Sequence, residues 1–444
     1  MKKSLILALL LSMALPATAF DPLLVYDVQP PAGCVDKDVT KDELSLPDLI
    51  QVSVCTNPSL SAQYMSVKAT ESTLGAARAE YLPSVVLTGN ANIAGEKIEH
   101  GKYTQAEPYS GKAQASWLLF DFGGRSARTT ATRAYLDAAN FTYNASLQEL
   151  VLSVQTAYLN LLAAEESLIS AKASLETYQQ SYNEAQKRYK LGMVSLSDNL
   201  QAKTQYEQAL LTVVQAENGV KQYSGALAVL LNVAPNTPLK LEQPKFNKKD
   251  TRIETDDINK LFEQALANRP EIHAQQSAQR AAHANLTSAK TNMLPSLSAT
   301  AAASYNDNWK HSALYKTDNS AGLSLTWPLF TGFANSYAVQ AASYTYEQEQ
   351  AKTRNIRLQV QNEVWSKYQN YKTALRTYEI SQTVLESAEE NERVAFRYYK
   401  VGKGDILNLL TAVSQLASAR QNKITAFYNL LLSKANLYRS IGKY

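Results

Sequence analysis

One turn occurs twice in this chain. The stretch KRYKLGMVSLSDNL (Lys187–Leu200) and the stretch RYYKVGKGDILNLL (Arg397–Leu410) align at one offset (399 − 189 = 210), pairing Tyr189 with Tyr399, Lys190 with Lys400, Leu191 with Val401, Gly192 with Gly402 and Leu196 with Ile406. Other landmarks keep the same order. NPSLSAQ (Asn57–Gln63) resembles RPEIHAQ (Arg269–Gln275), YLPSVVLT (Tyr81–Thr88) resembles MLPSLSAT (Met293–Thr300), and WLLFDFGG (Trp117–Gly124) resembles WPLFTGF (Trp327–Phe333). More loosely, VQTAYLNLL (Val154–Leu162) resembles VQNEVWSKY (Val360–Tyr368). Self-similarity on this scale means that the second half repeats whatever unit the first half forms. The pattern predicts a first repeat over residues 20–232, a Pro- and charge-rich linker over 233–257 and a second repeat over 258–444.

Each unit reads as helix, two strands, long helix, turn and helix. With only 16 Gly and 14 Pro in 444 residues, there is little punctuation for short elements. Pro58 suits the first turn of a helix running to about Leu82, and Pro83 stops it. A helix from Gly124 to Lys190 would span on the order of 100 Å at 1.5 Å per residue. Its apolar positions fall into heptads: Leu161, Ala164, Leu168, Ala171, Leu175, Tyr178, Tyr182, Ala185 and Tyr189. The second copy keeps that frame with Tyr371, Ala374, Tyr378, Ser381, Leu385, Ala388, Glu392, Ala395 and Tyr399. A sustained 3.5-residue period predicts coiled-coil packing. The return helix, Leu196 to Asn232, is too short to match its long partner, so the short leading helix is expected to stack on its end.

From Val85 the period changes to two. Val85 and Leu87 alternate with Ser84 and Thr88, while Ala113, Ala115, Trp117 and Leu119 alternate with Gln114 and Ser116. Leu297, Ala299, Ala301, Ala303 and Tyr305 alternate with Ser296, Ser298, Thr300 and Ser304; Ala321, Leu323, Leu325 and Trp327 alternate with Gly322, Ser324 and Thr326. Such strands suit a membrane barrel, with aromatics (Trp117, Phe120, Tyr305, Trp309, Trp327, Phe330) near their ends. The same alternation suits an ordinary sheet packed on a helical body. If the strands lie in a membrane, two hairpins per chain fall short of the roughly eight strands at which single-chain barrels begin, so several chains must share one barrel.

Lys2, Lys3, the apolar run Leu5–Leu15 and Ala17-Thr18-Ala19 predict a signal peptide over residues 1–19. Without Lys2 and Lys3 the chain is close to neutral, and no basic patch asks for nucleic acid. In an exported chain the only two cysteines, Cys34 and Cys55, read as a disulfide, stabilising by roughly 3 kcal/mol in the chain-entropy model. The competing reading, lipid attachment at Cys34, places the cysteine well past the cleavage site and behind Pro31. Four scattered histidines show no metal spacing, and no nucleophile motif or phosphate loop suggests an enzyme or a cofactor.

Taken together, the two glycine tips, the two LPS strand entries and the LF strand exits before Gly123 and Gly332 resemble the TolC family of outer-membrane efflux and secretion ducts, over nearly the whole mature chain. The resemblance implies a homotrimer whose β-barrel, sharing four strands from each chain, sits in outer-membrane lipid and continues into a long periplasmic α-helical coiled-coil barrel. It also implies a periplasmic membrane-fusion adaptor and an inner-membrane pump of the RND, ABC or MFS type as partners. Carried over, Tyr189, Lys190, Leu191, Gly192, Met193 and Val194 form one adaptor-docking turn, and Tyr399, Lys400, Val401, Gly402 and Lys403 the other. The family closes its tunnel at this end with acidic rings. Asp198 falls on an acidic position, whereas the second tip carries Asn408 and Thr411 where aspartates are usual, with Asp405 one turn nearer the tip. The basic residue that often links closed tips falls at Gly404, beside Lys403. Asp198 and Asp405 also read simply as helix caps. The function implied is a passive exit duct; a periplasmic structural coiled coil without a membrane barrel is the alternative.

Overall fold

The computed structural model describes residues 43–96, 104–106, 108–242, 244, 246, 251–253, 257–308 and 316–443. The expected signal segment, Cys34, Trp309 and part of the inter-repeat linker lie outside the described residues. The first half runs α1 (Leu46–Thr56), α2 (Pro58–Ala79), β1 (Ser84–Ala91), β2 (Ala94–Glu96), β3 (Thr104–Ala106), β4 (Pro108–Phe120), α3 (Gly124–Lys190) and α4 (Leu196–Leu230). The second runs α5 (Ile258–Asn268), α6 (Pro270–Thr291), β5 (Ser296–Asn308), β6 (Lys316–Thr326), α7 (Ala334–Lys400) and α8 (Ile406–Ser440). The duplication holds to the residue in the helices: both halves contain helices of 11, 22, 67 and 35 residues in that order.

The 11-residue helices α1 and α5 go beyond the helix, strand and long-helix pattern expected from sequence. Both open on a cap, and α5 also has a helical apolar stripe of Ile258, Leu261, Phe262, Ala265 and Leu266. Ser45 and Asp48 form a reciprocal capping box ahead of α1. Ahead of α5 a single side chain does the capping: the Asp257 carboxylate accepts from the Asn259 N–H at 3.0 Å.

The chain divides into two compact units. One comprises Met65–Phe141 and His273–Arg354 and contains every described strand. Its main sheet is antiparallel in the order β1-β4-β5-β6, with β2 and β3 pairing separately in the first hairpin's loop. The register aligns side chains of one kind across all four strands. Val85 pairs with Ala115, Ala115 with Ala301 and Ala301 with Ala321, while Ser84, Ser116, Thr300 and Gly322 form the adjacent row on the other face. A sheet packed on a helical body would cover its apolar face; here Val85 is 74% and Leu323 70% exposed. An uncovered apolar face opposite a polar one fits lipid outside and water inside.

The passage from β4 to α3 is a corner held by Arg125. Its guanidinium donates to the Leu118 and Leu119 carbonyls at 2.6 and 3.1 Å and stacks over the Tyr81 ring, while its N–H donates to the Asp121 carboxylate at 2.6 Å. Trp117 Nε1 donates to the Tyr81 carbonyl at 2.9 Å, satisfying backbone just beyond the end of α2. The matching corner before α7 has Thr331 and Asn335 where the first has Asp121 and Arg125; only the N–H of Asn335 to Thr331 Oγ1, at 3.4 Å, preserves the pattern.

The other unit comprises Thr142–Ile272 and Asn355–Tyr444, with residues up to Tyr64. Here the expected end-to-end stacking is visible as a junction. Thr56 Oγ1 donates to the Leu231 carbonyl at 3.2 Å and Ser53 Oγ to the Leu230 carbonyl at 2.9 Å, so residues just before α2 satisfy the orphan C-terminal carbonyls of α4. In the second copy the end of α8 meets the start of α6 so closely that a Cβ on Gly442 would lie 2.9 Å from the Asn268 carbonyl carbon. One core packs Leu49 and Val52 of α1 against Val154, Tyr158, Leu227 and Leu231; its counterpart packs Leu261 and Ala265 of α5 against Val360, Val364, Leu437 and Ile441.

Among the described residues only the second junction is ionic. Arg269 donates to Glu271 at 2.9 Å and to Glu363, and Arg439 reaches Glu271 at 2.8 Å and Glu363 at 3.5 Å. The aligned positions of the first copy are Asn57, Ser59, Ser153 and Val229. Burial pushes the Glu271 carboxyl up, but the hydrogen bonds and charge of Arg269, with the charge of Arg439, outweigh it and hold the carboxyl below its usual range. A depressed carboxylate pKa contributes stability that is fully present above the unfolded value, about 4.3, and is lost as pH falls through the lower folded value. We expect Glu271→Gln to flatten the loss of thermal stability below about pH 4, and Arg269→Ala to destabilise by about 3 kcal/mol by leaving two carboxylates short of a partner, both read from heat-unfolding midpoints across pH.

Candidate hairpin-tip site

The residues singled out by the repeat lie at the two ends where α3 turns into α4 and α7 turns into α8. Both long helices end in the same Schellman motif. The Gly192 N–H donates to the Tyr189 carbonyl at 2.9 Å and the Met193 N–H to the Arg188 carbonyl at 2.9 Å; Gly402 donates to Tyr399 at 3.0 Å and Lys403 to Tyr398 at 2.9 Å. Gly192 and Gly402 have φ of +68° and +79°, where a side chain is strained. The turn therefore throws Leu191, Met193 and Val401 outward, and all three are exposed. Lys190, Lys400 and Lys403 are exposed beside them, and Val194 is half-buried.

The acidic residues sit in the caps of the returning helices. Ser195 caps α4, and its N–H donates to the Asp198 carboxylate at 3.1 Å while the Asp198 N–H donates to Ser195 Oγ at 3.2 Å. In α8 the acid has moved to the cap itself: Asp405 accepts from the Asn408 N–H at 2.9 Å and from the Asn408 side-chain amide at 2.9 Å. Ser-x-x-Asp and Asp-x-x-Asn are thus two solutions to one capping problem at the same aligned positions. Thr411, with Leu407 and Gln415 of α8, faces Leu200, Gln201 and Thr204 of α4 across an open groove of about 600 Å³.

Behind the turns the hairpins share a small core. Tyr178 and Ala185 of α3 pack with Ala202 and Ala209 of α4, Tyr399 of α7 and Ile406, Leu409 and Val413 of α8. The second copy follows the expected heptad seam to its end, with Tyr399 only 1% exposed. The first departs from it. Ser174, Tyr178, Ser181, Ala185 and Arg188 form the most buried row, and Tyr189 is 39% exposed. Arg188 takes the place that the repeat gives to Tyr189. Its guanidinium lies 4.8 Å from the centre of the Tyr399 ring. Burial pushes the Tyr399 hydroxyl up, against the opposing pull of Arg188. Arg188 has no counterpart among the residues expected from sequence, because heptad counting places an arginine on the solvent face.

Among the described residues no group of His, Cys, Asp or Glu is placed to hold a metal ion, and no helix is long and apolar enough to cross a membrane. Cys55, in the last turn of α1, is not a free thiol.

The family profile described as outer membrane efflux protein matches residues 49–233 and 261–443, one segment for each repeat. Protein CyaE of Bordetella pertussis is 29% identical over 405 residues, covering 91% of this chain and 84% of the relative. Outer membrane protein TolC of Escherichia coli is 23% identical over 416 residues, covering 90% and 82%. Among solved structures, the outer-membrane channel OprN shares the fold with a TM-score of 0.78 at 20% identity, over 94% of this chain and 98% of that one.

The two cap carboxylates separate charge from structure. We expect Asp405→Ala to speed amide exchange at the start of α8 by about fivefold, the equivalent of a lost cap of about 1 kcal/mol, and Asp405→Asn to leave exchange near the parent level, both read by hydrogen exchange with mass spectrometry.

Proposed function

Because the chain belongs to the outer membrane efflux protein family, we propose that it is the exit duct of a tripartite efflux pump or type I secretion system, passively conducting substrate that an inner-membrane pump delivers through a periplasmic adaptor. Its location is the outer membrane, and its fold is that of the channels: a helical tunnel portion with a β-barrel portion. The observation that carries the duct reading is the sheet. Its apolar face is open, and β1 and β6 each have one neighbour among the described strands. In lipid those edges must pair. A homotrimer satisfies them by pairing β1 of one copy with β6 of the next around a closed barrel.

In this duct the exposed side chains of Leu191, Met193 and Val401 form the adaptor contact, together with the lysines beside them. Asp198, Asp405 and Asn408 combine capping with a place near the periplasmic opening. Cys34 and Cys55 form a disulfide that ties the N-terminal segment to α1. The chain acts without catalysis, as a conduit whose cargo is chosen by the pump.

Two outcomes test the duct. Detergent extracts of the outer membrane should contain a trimer, and a soluble monomer would overturn the proposal. Proline at Gly192 or Gly402 cannot adopt the positive φ and removes an N–H that closes the turn. Gly192→Pro and Gly402→Pro should each lower export at least about tenfold while trimer yield is kept, since a cost of a couple of kcal/mol at a docking contact is of that order. Transport at the parent level in both would remove the tips from the docking contact.

A further inference from the structure

We propose that Lys112 lines the lumen of the β-barrel and, repeated in each chain of the trimer, sets a positive ring there that favours anionic solutes; the inference rests on the duct reading above. The register decides the side. Lys112 pairs with Thr88 of β1 and with Ser304 of β5, and Ser304 pairs with Asp318 of β6. Along β4 this rung stands an even number of residues (116 − 112 = 4) from the rung of Ser84, Ser116, Thr300 and Gly322, so it shares their polar face. The opposite face, with Val85 and Leu323, is the one that turns to lipid.

Charge is scarce on the polar face. In the four paired strands it carries Lys112, Lys316 and Asp318, and the next rung, Val86, Gln114, Ala302 and Ser320, is neutral. Lys316 and Asp318 pair with each other at 3.2 Å. Lys112 is exposed and has no ion pair among the described residues. Asp307 lies on the other face, where the Tyr109 and Tyr305 hydroxyls donate to it at 2.8 and 2.9 Å. Glu96 belongs to the separate β2–β3 pair. The net charge of the polar face is therefore that of Lys112. Counted from Trp117 and Trp327, the duplication gives its place to Gly322 (322 − 112 = 210), so each chain supplies one such lysine.

Three four-stranded sheets, at roughly 4.8 Å per strand and a tilt of about 40°, close a barrel with a backbone radius on the order of 12 Å. A lysine stem reaches about halfway to the axis. The ammonium groups then stand within a Debye length of the axis, about 10 Å at 0.1 M salt, and their fields overlap where a solute must pass. The lipid around the barrel focuses that field along the pore. A ring of lysines is a device by which pores favour anions and phosphates. Open to luminal water, the ammonium groups keep their hydration, so the ring carries no burial cost.

The test is block of ion current through the purified trimer in planar lipid bilayers by inorganic tripolyphosphate, added on the side of the barrel mouth in 0.1 M salt. Lys112→Gln should raise the half-blocking concentration at least about tenfold, since the whole ring loses its charge against a multiply charged anion. Lys112→Arg, which keeps the charge, should stay within about twofold of the parent. Raising the salt to 1 M, where the Debye length falls to about 3 Å, should weaken block of the parent far more than block of Lys112→Gln. If Lys112→Gln does not assemble, Lys112→Ser, which copies its luminal neighbours Ser110 and Ser116, decides by the same criterion. A parent channel that tripolyphosphate does not block, or block unchanged by the neutral substitution that assembles, overturns the ring and leaves the duct standing. A parent trimer that forms no channel at all overturns the duct reading and the ring with it.

Discussion

A sheet with an uncovered apolar face governs this structure. Each strand of the row Val85, Ala115, Ala301 and Ala321 presents an apolar side chain to the same side, and nothing described in its own unit covers that face. The burial that stabilises an ordinary sheet must therefore come from surroundings, and the backbone groups along β1 and β6 must find partners outside the chain. The long helices carry the rest of the folding energy through seams that bury one row at a time. Arg125 matters because it stands where those two regimes meet, binding the last carbonyls of β4 from the first turn of α3.

Duplication supplies the frame, and the departures from it carry the specific chemistry. The copies agree wherever backbone geometry dictates: helix lengths, Schellman glycines, and the junctions where a short helix meets the next. They differ where side chains take over. Arg125 pins one corner and Asn335 only marks the other. Five charged residues, Arg269, Glu271, Glu363, Arg439 and Glu149, form the ionic cluster at one junction, and neutral ones stand at the aligned junction positions of the other. At the tips, Tyr189 faces solvent while its counterpart Tyr399 is buried under Arg188.

Much of this was legible in the sequence, for physical reasons. A glycine after a long periodic run marks a left-handed helix end, and Gly192 and Gly402 both have that conformation. Alternation marks a two-faced sheet, and the register confirms which residues share a face. Alternation could not choose between lipid and a helical body, because that depends on what lies opposite. The helices α1 and α5 are only 11 residues long; both open on caps, and α5 also carries a helical apolar stripe of Ile258, Leu261, Phe262, Ala265 and Leu266. The ionic junction joins Arg269 to Glu363, 94 residues on, and Arg439 to Glu271, 168 residues back, separations at which no local pattern operates. The place of Arg188 in the seam escaped because a row of Ser174, Tyr178, Ser181 and Ala185 shows no strong apolar stripe to follow.

The pairing of β4 with β5 sets an order on assembly. Its partners lie far apart in the chain, Tyr109 with Asp307 and Ala115 with Ala301, with all of α3 and α4 between them. Helices of local contacts form early, and closure of so long a loop is slow. The chain will therefore have its helical hairpins before it has its sheet, and its sheet before that sheet has a membrane. For that interval it presents open strand edges and bare valine and leucine to water, the state most prone to aggregate. Delivery to the outer membrane is then as much a matter of shielding this one surface as of carrying the chain across the periplasm.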